Sequence, residues 1–434
     1  MQEQFVIEGN HPLTGEVTVS GNKNAALKML PACLLTEEPV VLSNVPDIAD
    51  VRVTFDLLRS LGVEVEPLGD HRVRVQARSL TSHVLDRELC QRTRASIVFA
   101  GPLLARLGQL ELPPPGGDVI GRRRLDTHVL ALQSLGAQID FNGTFHMRAE
   151  SLRGADILLD EASVTATENT IMAAVLARGV TTIRNAASEP HVQNLCHMLN
   201  GMGAQISGIG TNCLTIQGVE RLSGGEFRVE ADYLEVVSYI GAAVVTGGEI
   251  RIRQADPHYL PMVALVFRKL GVTWEVEGND IVVPRGQPLV VRRDLGNQIP
   301  EIKAQPWPAF PSDLMSIALT VATQSAGTVL FHEWMYNSRF FFTDKLVSMG
   351  ARIFLCDPHR AVVHGPTVLR AVPNISSPDI RAGMALLLAA LCARGTTTIR
   401  NIGQIDRGYE RVEEKLRGLG AVIRRETVPL IGTN

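Results

Sequence analysis

Apolar and polar positions along this 434-residue chain repeat in six cycles of roughly 67 to 79 residues. Each cycle closes on one signature: Leu61-Gly62, Leu135-Gly136, Met202-Gly203, Leu270-Gly271, Met349-Gly350 and Leu419-Gly420. A glycine in that place predicts a helix C-terminus, because it enters the left-handed region without a Cβ penalty. The residues before it are amphipathic, as in DVRVTFDLLRSLG, where Leu57, Leu58 and Leu61 share one helical face. The residues after it read as short strands: VEVE, AQID, AQIS, VTWEVE, ARIFL and AVIRR. A further strand precedes the helix, as in EPVVLSNV, GVTTIRNA, GEIRIRQA, GTVLFHEW and GTTTIRNI. ARGVTTIRNAA (177–187) and ARGTTTIRNIG (393–403) are nearly one string, which repetition of a unit explains better than chance.

A second kind of helix precedes each of these strands. SGNKNAALKMLPACLL, TRASIVFAGPLLARLG, SVTATENTIMAAVLARG, LEVVSYIGAAVVTGG, FPSDLMSIALTVATQSAG and SPDIRAGMALLLAALCARG are apolar nearly all round and rich in Ala and Gly. That pattern predicts burial on every side. Polar groups gather at their N-terminal ends: Lys23 and Asn24, Arg94, Thr165 to Asn169, Glu235, Asp313, and Asp379 with Arg381. A helix start presents free N–H groups and a positive dipole end. If three cycles build each of two domains, six such starts can converge on one cleft suited to an anion. Capping alone accounts for Ser20, Ser163 and Ser312. It leaves Lys23, Arg94 and Arg381 unexplained, since a cation at a helix start needs an anion to balance it.

Composition narrows the class without choosing a function. With 45% hydrophobic and 20% charged residues, the chain reads as globular with a large core. A net charge of −3 gives no overall pull toward nucleic acid or an acidic membrane. No uncharged apolar run reaches about 18 residues, so no membrane span is expected. Cys33, Cys90, Cys196, Cys213, Cys356 and Cys392 form no C-x-x-C pair and read as free thiols of a reducing cytosol. The opening MQEQFVIEGNHPLTGEV lacks the basic and apolar regions of a secretory leader, so a cytoplasmic protein is expected.

The cycles divide three and three. FVIEGNHPLTGEVTVSG cannot complete a cycle alone and is expected to pair with the C-terminal half. The chain then crosses over near Gly21 and near Ala231, giving one domain from residues 1–21 with 231–434 and another from 22–230. The latter carries LPPPGGDVIGRRRLDTH, Leu112 to His128. Its prolines and Gly116-Gly117 suit a loop, 112–124, that folds over a ligand and excludes water. Asp118 stands at its tip, followed by Arg122, Arg123 and Arg124. The bland alternatives are a solubilising acid and a solvated run of arginines.

VSGNKNAALKML, RASIVFAGPLLARLGQ, GDVIGRRRLDTH, SVTATENTIMAA, WPAFPSDL, SRFFFTDKLVSMGA and QIDRGYERVEEKLRGLGA together resemble the enolpyruvyl transferase family, from about Phe5 to about Arg425. The resemblance implies an α/β fold, a two-domain inside-out α/β barrel with three βαβαββ-type units and buried helices per domain. It implies no metal and no organic cofactor, and leaves the oligomeric state open. The implied substrates are phosphoenolpyruvate and UDP-N-acetylglucosamine, whose 3′-hydroxyl takes the enolpyruvyl group as phosphate leaves, the first committed step of peptidoglycan synthesis. Such chemistry protonates C3, lets the hydroxyl attack C2, passes through a tetrahedral ketal and eliminates phosphate. It needs a general acid, a general base and several fixed cations.

By the same resemblance, Asp118 stands where many members carry a cysteine, and can act as an acid if burial and a dianionic substrate keep it protonated. Fosfomycin alkylates that cysteine; a carboxylate is a poorer soft nucleophile, so resistance is expected. Lys23, Arg123 and Arg407 match the phosphate ligands, the lysine as a point charge and the arginines as forks. Arg339 and Arg381 match arginines near the phosphoenolpyruvate carboxylate, and Arg94 one near the diphosphate. Asn24, Ser163 and Val164 match substrate contacts, and Asp126 and His128 the uridine side. Asp313 matches the general base and Asp379 an acid that helps position Lys23. Both acids also read as helix caps, although Ser312 offers one beside Asp313.

The chain departs from the family pattern at Ala49 and Glu161, where lysine is usual, and at Tyr233, where arginine is usual. Asn194 and Asn337 replace acids, and Arg124 a proline. Drift and a changed acceptor are both open readings. A shikimate-type enzyme of the same fold is disfavoured, because its Lys-Ser start and Gly-Asn-Ala-Gly-Thr loop are absent. A non-catalytic nucleotide-sugar binder is disfavoured because it has no use for an acid–base pair.

Overall fold

The computed structural model describes residues 2–117, 120–121 and 123–429. The chain forms two compact units. One runs to Ser20 and resumes at Ala231; the other lies between these crossovers. Ile120 and Gly121 group with the first unit, although the whole 112–124 loop was expected in the second. The Ser338 N–H donates to the Ile120 carbonyl at 3.2 Å.

Each unit repeats one arrangement three times: a strand, a buried helix, a parallel strand, an outer helix and an antiparallel hairpin. In the unit that contains the C-terminal half, Glu301–Lys303 runs parallel to Gly327–His332. Gly327–His332 then pairs antiparallel with Arg360–Gly365, and that strand with Ile353–Asp357. The order recurs from Thr14–Thr18 through Glu249–Arg253 and Asp280–Val283 to Glu275–Glu277. It recurs again from Ile375–Ser376 through Thr396–Arg400, where Gln2–Glu8 supplies the next strand and Val422–Val428 the edge. The N-terminal stretch thus completes two different sheets.

The other unit has the same order in Gly225–Arg228, Val40–Ser43, Arg72–Gln76 and Glu64–Gly69. Asp156–Leu158, Val180–Arg184, Cys213–Gln217 and Gln205–Ser207 repeat it. Gln109–Leu112, Phe145–Arg148 and Gln138–Phe141 make a three-stranded version.

Helices occupy the inside of each unit and sheets the outside. Every residue of the Tyr233–Val245 helix and of the Met315–Ala322 helix is buried. A Cβ added to Gly241 would lie 2.8 Å from Leu388 and 3.0 Å from Ile317, so a single glycine sets the close approach of all three inner helices. The outer helices end on the six predicted glycines, whose φ values run from 83° at Gly271 to 102° at Gly203.

Two expected caps fall elsewhere. Asn22, not Ser20, caps Lys23–Ala32, its Oδ1 accepting from the Ala25 N–H at 2.9 Å. Ser20 instead donates to Glu410 at 3.1 Å and accepts from Lys415 at 2.6 Å. Ser312 makes no cap; its hydroxyl donates to Glu333 at 2.6 Å. Ser163 does cap the Val164–Ala174 helix. Among the described residues, no helix is long and apolar enough to cross a membrane.

Candidate active site

In the unit spanning Gly21 to Glu230, Lys23 is the first residue of its helix and is buried. Its Nζ meets Asp50 Oδ2 at 2.8 Å, and Asp50 is equally buried in the first turn of Ala49–Ser60. The anion that balances this helix-start cation is therefore supplied by the protein. The resemblance implied Asp379 as the acid that helps position Lys23; the ion pair observed is with Asp50. That pair gives Lys23 a positioning acid that sequence reasoning passed over while stopping one residue earlier at Ala49. Asn24 lies half-buried beside Lys23.

The 112–124 loop is tied down at its start. The Gly116 N–H donates to the Cys90 carbonyl at 3.0 Å, and a Cβ at Gly116 would fall 1.7 Å from the Gln91 oxygen. Only glycine fits there. Gly117, at φ 108°, lies against Arg94. Arg94 Nη2 donates to the Arg123 carbonyl at 2.8 Å, so Arg94 holds the backbone on which Arg123 is carried. Asp118 and Arg122 lie outside the described residues.

Arg124 is no free surface charge. It pairs with Asp126 at 3.2 Å and with Asp160 at 2.9 Å, and Thr127 donates to Asp160 at 2.6 Å. Arg124 and Asp126 form part of an open groove of about 780 Å³ with Phe141 and Phe145. His128 is buried, with Nδ1 accepting from Asn169 Nδ2 and Nε2 3.0 Å from Thr165 Oγ1. The amide donor fixes the neutral Nε2–H tautomer. Burial, aided by Arg94, holds the ring down at about 3. Both ring nitrogens are engaged inside the unit, so His128 ties the Asp126–Ser134 helix to the Val164–Ala174 helix. Ser163 and Val164 open the neighbouring helix, half-buried, while Glu161 is exposed.

In the other unit, Asp313 is clasped by two buried arginines. Arg339 Nη2 lies 2.6 Å from Oδ1, and Arg381 Nε 3.4 Å from Oδ2. Burial opposes the charge on Arg339, and Asp313, Asp379 and Glu333 more than offset it. Burial likewise opposes the charge on Arg381, against Tyr409, Asp313 and Asp232. Both guanidiniums stay ionised. Arg381 Nη1 donates to the Tyr409 hydroxyl at 3.3 Å, which lies 2.9 Å from Ser238 Oγ. Asp379 is the cap of Ile380–Cys392, accepting from the Arg381 and Ala382 N–H groups at 2.8 and 3.0 Å. Arg407, at the end of Gly403–Asp406, donates to Gln404 at 3.0 Å.

Two departures from the family pattern have local reasons. Asn194 donates to the Arg228 carbonyl and accepts from the Glu230 N–H, a pairing that a carboxylate cannot make. Tyr233 is buried with its ring 5.8 Å from Trp307, where it packs. Asn337 lies against Gly121, its backbone nitrogen 3.1 Å from where a Cβ would stand. The structure contains no feature that explains Ala49 or Glu161.

Residues 7–416 match the family described as EPSP synthase (3-phosphoshikimate 1-carboxyvinyltransferase). The UDP-N-acetylglucosamine 1-carboxyvinyltransferase of Bradyrhizobium diazoefficiens is 54% identical over 422 residues, 97% of this chain and 98% of that one. The protein of the same description from Treponema denticola is 52% identical over 420 residues, 97% of this chain and 98% of its own. Among solved structures, the enolpyruvyl transferase NikO from Streptomyces tendae superposes with a TM-score of 0.87 at 25% identity, covering 99% of this chain and all of that one (100%). EPSP synthase from Acinetobacter baumannii shares the fold, with a TM-score of 0.76 at 18% identity over 98% of this chain and 100% of its own. A likeness that runs through both units, at about half identity to curated relatives, makes this chain a member of the EPSP synthase family of carboxyvinyl transferases, among the relatives described as UDP-N-acetylglucosamine 1-carboxyvinyltransferases.

Proposed function

We propose that this protein transfers the enolpyruvyl group of phosphoenolpyruvate to the 3′-hydroxyl of UDP-N-acetylglucosamine and releases phosphate. Its relatives' descriptions name the acceptor, UDP-N-acetylglucosamine, and the carboxyvinyl group transferred. Phosphoenolpyruvate is the donor in this reading because its enolpyruvyl group is that carboxyvinyl group, with phosphate as the leaving group. The observation that carries the chemistry is the clasp of Asp313 by Arg339 and Arg381. A carboxylate held by two guanidiniums is a weak base. A substrate carboxylate arriving at the same arginines takes over those hydrogen bonds and frees Asp313 to accept the sugar hydroxyl's proton. The site thereby becomes basic only when the electrophile is bound.

In this reading Lys23, Arg123 and Arg407 bind phosphate, and Arg94 keeps the Arg123 segment in place. Asp118 delivers the proton to C3, and the ketal then collapses with loss of phosphate and a C3 proton. Asn24, Asp126, Ser163 and Val164 contact the nucleotide sugar. The reaction belongs to the cytoplasm, as the first committed step toward peptidoglycan, and with an acid at 118 it runs in the presence of fosfomycin.

The test is phosphate release from phosphoenolpyruvate with and without UDP-N-acetylglucosamine. Release that requires the sugar supports the assignment. A folded protein that binds the sugar and releases no phosphate is a binder instead, and release with another acceptor alone reassigns the substrate.

A further inference from the structure

Glu333 is fully buried and has no part in the chemistry above. It follows the Gly327–His332 strand, and its carboxylate accepts from Ser312 Oγ at 2.6 Å and from the Met335 N–H at 2.9 Å. Ser312 in turn accepts from Arg339 Nε at 3.3 Å, and Arg339 Nη2 reaches Asp313 at 2.6 Å. The contacts form one line, Glu333 to Ser312 to Arg339 to Asp313.

Its polarity is fixed at every step. Glu333 can only accept, so the Ser312 proton points at it and a Ser312 lone pair faces Arg339. The guanidinium is planar and rigid, so holding Nε sets the direction of Nη2. Arg339 is therefore anchored at two atoms, one on the protein's side and one on Asp313. When Asp313 is released, the Tyr336 ring, its centroid 5.2 Å from the guanidinium carbon, still supports the guanidinium face, and the Ser312 hydrogen bond at Nε still sets the direction of the fork in its plane. Burial raises the Glu333 carboxyl above its ordinary value, against the pull of Ser312 and Arg339. Glu333 also accepts from the backbone N–H groups of Met335 and Tyr336, which fixes the carboxylate that holds Ser312.

We infer that Glu333 and Ser312 are positioning residues for the transfer reaction, locking Arg339 so that its fork stays aimed while Asp313 changes partner. This rests on the reading of Arg339 as the carboxylate ligand and Asp313 as the base.

Ser312→Ala removes the link, and Ser312→Thr keeps it. Glu333→Gln places an amide donor where one of two acceptors is needed. Ser312→Ala and Glu333→Gln are each expected to lower kcat about 10- to 100-fold, with KM for the nucleotide sugar within about twofold of the parent. Ser312→Thr should recover kcat to within about threefold, and the double variant should be no worse than the poorer single one, because both cut the same line. If kcat per folded molecule is unchanged in Ser312→Ala and Glu333→Gln, and only the melting temperature falls, the two residues are structural and the inference is wrong. Should the parent release no phosphate, the functional reading fails first. Crystal structures of the Ser312→Ala protein then decide the inference: Arg339 displaced from Asp313 by about 1 Å or more upholds it, and an unmoved Arg339 overturns it.

Discussion

Lys23 and Asp50 form a 2.8 Å ion pair in which both side chains are buried, one at the start of the Lys23–Ala32 helix and the other in the first turn of Ala49–Ser60. The pair joins two helices and also aims the ammonium. Removing one member of a buried pair costs about 3–5 kcal/mol, whereas replacing both by apolar groups is often neutral. Asp50→Ala should therefore lose about that much stability in urea unfolding, and most of its phosphate release. Lys23→Met with Asp50→Leu should regain the stability and none of the activity. An active, stable Asp50→Ala protein would contradict the assigned role.

Asp313→Asn keeps the shape of the side chain and removes the base. We expect kcat to drop about 10²- to 10⁴-fold, the range for loss of general acid–base catalysis. Affinity for the nucleotide sugar, followed by calorimetry, should change far less. Equal losses in kcat and sugar affinity would make Asp313 a binding residue.

Residue 118 is an acid, so fosfomycin has no thiolate to alkylate there. Intact-protein mass spectrometry after incubation should show no adduct on the parent chain, and a single adduct on Asp118→Cys. An adduct on the parent at residue 118 defeats the proposal of resistance.

Glu168 sits fully buried with Lys28 Nζ 3.5 Å away. Burial pushes its carboxyl up to about 8; Lys28 opposes the rise and Glu189 adds to it. Unfolded, the group titrates near 4.5. Between these values the unfolded chain has released a proton that the folded one keeps. Stability is therefore lost as pH rises through this window, by up to ~1.4 kcal/mol per pH unit from this group. Glu168→Gln should remove that slope in denaturation curves between pH 5 and 8 (about the window set by the shift).

His128 acts in the opposite direction. Its folded value near 3 lies below the ordinary 6.5, so its contribution is present above 6.5 and is lost as pH falls toward 3. His128→Gln should be less stable at neutral pH, because two hydrogen bonds are disturbed, yet lose less on acidification. An acid limb as steep as the parent's would show that the buried ring does not titrate as described.

Much of the fold could be read along the chain because its signals are local. The Leu-Gly and Met-Gly pairs, the strands that follow them and the all-apolar helices each depend on neighbours within a turn or two. Cations and acids could likewise be picked out at helix starts, and Arg339, Arg381 and Asp313 do come together. Their partners could not. Asp50 is hidden as an ordinary first-turn acid, Asp160 and Asn169 as polar residues near a helix start, and Glu333 as one more charge after a strand.

What the amino-acid order determined by itself was periodicity: six units, their helix ends, their buried and outer faces, and the residue types that gather where helices begin. The tertiary structure alone decided who meets whom. Glu333 lies 21 residues from Ser312, and Asn169 lies 41 from His128. Whether such groups come within 3 Å depends on how separate helices and sheets pack, and a hydrogen bond is lost over a shift of about 1 Å. A repeating pattern in one dimension carries no information at that precision. The clasp around Asp313, the Asp50 contact of Lys23 and the occupied nitrogens of His128 therefore had to be seen in three dimensions.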